Sequence, residues 1–144
     1  MGTNLMKDFS MNIKRFIIAA IVLFVFIFAY ESYVHGILLM GIYAKTPTIW
    51  RSYDQMMTYV PFNILIMALI SLWTTFIFTR FFKEGGWKKG VEFGCYIGVL
   101  SGIQAAGAYY YLPISATLAA SWFVANCIET IIGGFLIGLI YRNR

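Results

Sequence analysis

The strongest constraint on this chain is an unbroken apolar run at 16–30, entered from Lys14 and Arg15 and free of charge along its whole length. A helix drawn through it, past Glu31 and His35 to residue 42, would be about 40 Å long. That exceeds the roughly 30 Å hydrocarbon layer of a bilayer, so such a helix must tilt, kink near Gly36 or project beyond the membrane. Hydrophobic residues make up 60% of the 144 residues and charged residues 12%, where a soluble domain carries about 25% charge. One small domain cannot hide that much apolar surface. Lipid is the expected solvent for part of it.

Three more apolar stretches follow, separated by helix-breaking or charged punctuation. Pro47 opens the longest loop, 44–58, where Ile49, Trp50, Tyr53, Met56 and Met57 have the spacing of a short interfacial helix. Pro61 suits the first turn of a second helix. Arg80, Lys83, Lys88 and Lys89 frame a Gly85–Gly86 turn, and Pro113 with Ser115 or Thr117 as N-cap marks the last reversal. The predicted fold is all-α: a polytopic membrane protein with one membrane domain over 1–144. Its expected form is a four-transmembrane-helix bundle with spans at 16–42, 59–78, 91–111 and 116–141. The stretches are too long, and too little alternating, for barrel strands of about ten residues.

Charge predicts the orientation. With the N-terminus in the cytoplasm, that side holds Lys7, Lys14, Arg15, Arg80, Lys83, Lys88, Lys89, Arg142 and Arg144, while the other holds Lys45 and Arg51. This positive-inside bias gives an N-in/C-in topology, with 1–12 as a cytoplasmic tail and the first run an uncleaved span, in a bacterial or archaeal cytoplasmic membrane. Because the net charge of +5 sits outside the apolar runs, it marks topology and anionic headgroups. No nucleic-acid partner is expected. Cys95 and Cys127 lie within apolar runs and predict buried thiols.

Small residues suggest how the helices meet. Gly94, Gly98 and Gly102 share one side of the third span, and Gly134 with Gly138 repeats the four-residue spacing on the fourth. Membrane helices associate by close packing, which small residues permit. These glycines predict helix-packing seams within one bundle, or a surface for a second copy or another membrane protein.

The informative side chains are Glu31, His35, Asn63, Gln104, Asn126 and Glu129, polar groups on otherwise apolar stretches. An acidic group at mid-span costs roughly 2.5–3.5 kcal/mol on insertion scales, so such groups face protein or a wet cavity. Helical rise puts Glu129 and Gln104 about 18–20 Å from the cytoplasmic ends, and Glu31 and Asn63 about 24–26 Å. Glu31 and His35, four apart, share a face. They can form a structural pair, handle protons or substrate, or join Glu129 as metal ligands. With no Lys or Arg at matching depth, Glu129 is expected as a neutral carboxyl hydrogen-bonded to Gln104 or Asn126. The His-Glu-x-x-His, Gly-x-Ser-x-Gly and phosphate-loop patterns are missing from the sequence.

In size and expected span count the chain is similar to the small multidrug resistance transporters, which carry a membrane-embedded glutamate in their first helix. The similarity is architectural. Glu31 lies near the outer end of a longer first helix, a second acidic group, Glu129, sits in the last, and the charge bias implies one orientation where those transporters pair antiparallel. Three functional classes remain open. One is a small proton-coupled or substrate-binding transporter that uses an intramembrane carboxylate. Another is an accessory, assembly or scaffold subunit. The third is a metal- or cofactor-binding membrane enzyme, whose cofactor the sequence does not name.

Overall fold

A computed structural model describes residues 11–82 and 84–142. The expected tail at 1–10 and the expected inner cations Lys7, Lys83 and Arg144 lie outside the described residues. Six α-helices are present among those described: α1 Ile13–Tyr33, α2 Met40–Tyr43, α3 Tyr53–Thr58, α4 Val60–Phe81, α5 Trp87–Ala106 and α6 Ala116–Ile140.

The four-span expectation is corrected. Three helical stretches are long and apolar enough to cross a membrane: Ile13–Leu38, Val60–Phe81 and Ala116–Ile140. The third predicted span, 91–111, is replaced by α5, which starts at Trp87 and ends at Ala106 before a 3-10 turn, Gly107–Tyr110. Lys88, Lys89 and Glu92 at its start, four internal glycines and Gln104 dilute its hydropathy below that of the other three. An odd number of spans also removes the parity argument for N-in/C-in, and the likeness in span count to the small multidrug resistance transporters goes with it.

Local chemistry sets the helix boundaries. Asn12 caps α1, its side-chain oxygen accepting from the Arg15 N–H at 3.1 Å. Beyond Tyr33 the helix widens into a π-turn, Val34–Leu38, which contains His35 and Gly36. Ser52 and Gln55 form a reciprocal capping box on α3. Pro61 occupies the first turn of α4, and Ser115 caps α6 by accepting from the Leu118 N–H at 3.1 Å. Between α4 and α5 the backbone turns through Gly85 and Gly86, at φ 61° and 90°. A side chain is strained there, and a Cβ on Gly85 would also strike the Tyr141 carbonyl.

Helix α6 is the hub. It runs antiparallel to α5 along a seam where Gly90 faces Gly134 and Gly138, Gly94 faces Thr130, Gly98 faces Cys127 and Gly102 faces Phe123. A Cβ on Gly90, Gly94 or Gly134 would overlap backbone of the opposite helix, so the separation is set by glycine. Helix α1 packs on both α4 and α6. The side of α4 turned inward carries Ser71, Thr75 and Thr79. Ser71 donates to its own helix at the Met67 carbonyl, 2.7 Å away, and Thr79 to that of Phe76 at 2.9 Å.

Two apolar clusters hold the bundle at different depths. The inner one gathers Ala19, Leu23 and Ile27 of α1, Met67 and Phe78 of α4, Phe93 of α5, and Ile137 with Tyr141 at the end of α6. Phe82 packs parallel to Phe78 at the edge of this cluster, and Phe93 meets both tilted or edge-on, with ring centroids 5.3–5.5 Å apart, bringing α4 and α5 together. The outer cluster joins Val34, Leu39, Ala108, Ile114, Leu118 and Ala119. Only 17–22% of the most apolar stretch of each span is buried inside the protein. The rest is the apolar coat that lipid covers.

Asn12, Arg142 and the Gly85–Gly86 turn meet at one end of the bundle, labelled inner for the cations it carries. Gly85 bridges Arg142, the Asn12 N–H donates to the Tyr141 hydroxyl at 3.3 Å, and the Arg15 guanidinium donates to the Arg142 carbonyl. The described cations Lys14, Arg15, Arg80, Lys88, Lys89 and Arg142 therefore share one end, and Lys45 with Arg51 lies at the other.

Candidate functional site

Between the two clusters the helices leave an open cavity of about 340 Å³. Glu31 and His35 reach it from the end of α1 and its π-turn, Asn63 from α4, and Asn126 with Glu129 from α6. Five of the six polar residues singled out from the sequence thus border one space. Gln104 is the exception. It is exposed on α5 and is not part of the lining.

The π-turn matters to this arrangement. Glu31 precedes it and His35 lies within it, and His35 Nε2 stands 3.1 Å from Glu31 Oε2. The other ring nitrogen, Nδ1, meets the hydroxyl of Tyr43 on α2. That hydroxyl also accepts from the indole N–H of Trp122 on α6 at 2.8 Å, while the Trp50 indole N–H donates to the Tyr43 carbonyl at 3.2 Å. An indole nitrogen only donates. Trp122 donates to the Tyr43 hydroxyl, and His35 is held between that hydroxyl and the Glu31 carboxylate through its two ring nitrogens. Burial raises the Tyr43 phenol above its ordinary value of 10.0, the Trp122 hydrogen bond opposes that rise, and Glu31 adds to it.

The rings of His35, Tyr43, Trp50 and Trp122 pack on one another, with centroids 5.0–6.5 Å apart in successive pairs. They tie the outer loop to α6 beside the mouth of the cavity. From the sequence Trp50 is expected on a short interfacial helix, and Trp122 is not singled out. Its position four residues before Asn126, on the same face of α6, was the available signal.

Glu129 behaves differently from the rest. Its Oε1 is buried and has no hydrogen-bond partner. The expected bond to Asn126 or Gln104 is corrected on two counts: Asn126 spends its Nδ2 on the Trp122 carbonyl at 2.9 Å, and Gln104 points elsewhere. Glu129 also borders a second, more enclosed cavity of about 170 Å³. Leu23, Ile70, Phe93 and Ile97 wall that space, which shares Ile27, Ile70, Asn126 and Glu129 with the first. The wider cavity, which carries Glu31, His35, Asn63 and Asn126 among apolar neighbours, and a more apolar one towards Phe93 thus meet at Glu129.

Among the described residues lining either cavity there is no Lys or Arg. Glu31, His35 and Glu129 do not converge as a ligand set, since among the described residues no three His, Cys, Asp or Glu side chains are placed to hold a metal ion. Glu92, at the start of α5, pairs with Lys89 at 2.9 Å, outside the cavity. No family model matches this chain, and neither a curated protein nor a solved structure is significantly similar to it.

Proposed function

We propose that this protein is a small membrane transporter-like protein in which Glu129 exchanges a proton for a cationic ligand drawn from the outer cavity. The observation that carries the reading is the buried Glu129 oxygen left without a partner at the junction of two cavities. A bare carboxylate is costly in such surroundings. Either a proton on the carboxyl or a cation beside it neutralises that charge, and the described lining supplies no lysine or arginine to do so. When a cation arrives, the Glu129 O–H bond breaks, the proton leaves towards water, and the carboxylate faces the ligand charge. Glu31 and His35 stand at the wet mouth where that proton would pass. In this reading the Gly85–Gly86 turn with Lys88 and Lys89 faces the cytoplasm and the loop with Lys45 and Arg51 faces out, in keeping with the positive-inside bias.

The test is purified protein in liposomes, with the infrared carboxyl band of Glu129 followed as pH is stepped and proton movement read by an enclosed dye. Native protein should show a band that responds to pH and proton movement on addition of a cationic ligand, both lost in Glu129→Gln. If Glu129→Gln keeps the fold by size-exclusion in detergent and moves protons as before, the carboxylate is not the exchanging group. If it loses assembly instead, Glu129 holds helices together and the accessory-subunit reading takes its place.

A further inference from the structure

The two compartments differ in chemistry in a way that describes a ligand. The outer one offers Glu31, Asn63, Asn126 and the indole of Trp122 around a space of about 340 Å³, near the lower end for small-molecule sites. The inner one holds about 170 Å³ and exposes mostly apolar surface from Leu23, Ile70, Phe93 and Ile97, with the hydroxyls of Thr74, Ser101 and Thr130 also on its lining. An apolar protein cavity of about 150 Å³ is large enough for a benzene ring. The Phe78, Phe82 and Phe93 rings lie at the inner end, towards the cation-rich face, so a ligand entering from the mouth leads with its apolar end. Its charge would then halt at Glu129, between the compartments.

We propose that the cavity takes a small arylalkyl ammonium ion, with one aromatic ring in the inner compartment and its charge against Glu129. This rests on the reading of Glu129 as the exchanging carboxyl and adds the class of substrate. The free Glu129 oxygen accepts an ammonium N–H, and Asn126, about one turn earlier on α6, borders both cavities beside it. Two carboxyls, Glu31 and Glu129, bordering a lining without lysine or arginine favour a cation over an anion of equal size. Ring burial separates this class from simple ammonium ions, and the charge separates it from neutral aromatics.

The experiment is calorimetric titration of the full chain in nanodiscs at neutral pH, with empty nanodiscs as blank. The probes are phenethylamine, ethylamine and neutral phenethyl alcohol. Phenethylamine should bind roughly 10- to 100-fold more tightly than ethylamine, the range expected for burying a ring-sized side chain. It should exceed phenethyl alcohol by a similar factor, and Glu129→Gln should abolish that second preference while Ile97→Trp, which fills the inner compartment, abolishes the first. The alcohol comparison on native protein stands even if Glu129→Gln fails to fold. Equal binding of ethylamine and phenethylamine, both lost in Glu129→Gln, overturns the aromatic class and leaves the carboxylate reading standing. A pH-responsive Glu129 carboxyl band with no amine binding overturns this inference alone. Phenethylamine binding that is unchanged in a folded Glu129→Gln overturns it as well.

Discussion

The indole N–H of Trp122 donates to the hydroxyl of Tyr43 at 2.8 Å, joining α6 to a residue 79 positions earlier in the chain. That hydroxyl is shared with His35, so one oxygen links the first helix, the outer loop and the last helix. Tyr43→Phe should therefore leave the Trp122 N–H and His35 Nδ1 unpaired together. The expected loss is about 1–3 kcal/mol, the cost of stranding a buried polar group. Thermal unfolding in detergent measures it. Trp122→Phe should fall in the same direction, and the double variant should lose less than the sum, because both changes break the same bond. Strict additivity would show that the network has no joint role.

The same hydroxyl predicts a pH response. Burial makes the neutral phenol the favoured form of Tyr43, so its folded-state value lies above the ordinary 10.0. Stability from this network is then complete below the unfolded value and declines as pH rises through the folded one. Ultraviolet titration of tyrosinate should show a late-ionising component that shrinks by one tyrosine in Tyr43→Phe. Ionisation of that component at or below 10.0 would contradict the burial argument.

Glycine sets the α5–α6 distance, and a pair of substitutions can show it. In Gly134→Ala the added Cβ would overlap the Gly90 carbonyl, whereas Gly107→Ala meets nothing within 4 Å. The first should lower the unfolding temperature sharply and the second should leave it within a degree or two. Removing a helix-end glycine changes stability by at most about 1 kcal/mol. Equal tolerance at both sites would mean that the helices can part without loss.

Gln104 supplies a negative control inside the same helix. Exposed and away from the cavity lining, it can become leucine without touching Glu129. Gln104→Leu should bind phenethylamine within about twofold of the native protein, a difference of roughly 0.4 kcal/mol. A loss as large as that of Glu129→Gln would place Gln104 in the site after all.

Charge orientation can be read with single cysteines in a chain whose Cys95 and Cys127 are replaced by serine. Thr48→Cys and Glu84→Cys place exposed thiols at opposite ends of the bundle. In intact cells, a membrane-impermeant maleimide should label the first and reach the second only after permeabilisation. The reverse pattern would invert the orientation.

Much of the chain could be read in advance because bilayer chemistry is severe. Apolar runs of 20 residues or more admit few structures other than helices, since backbone groups in oil must pair within the segment. Proline, glycine and charge then placed most of the turns. Glu31 and His35 four apart, and Asn126 with Glu129 three apart, had to share a face of their own helix. The position of each polar group along its own helix followed from helical rise alone.

Rotation and neighbour choice were another matter, because a single helix carries no record of which partner it turns towards. Packing decided that α5 lies along α6 and that Gln104 looks away. It also decided that Asn126 satisfies its own helix, leaving a Glu129 oxygen without a partner, and that a loop tyrosine comes to join His35 to Trp122. The number of spans fell between the two levels: lysines, Glu92 and glycines thinned the hydropathy of one helix while the partner across its glycine seam gave it a place in the bundle.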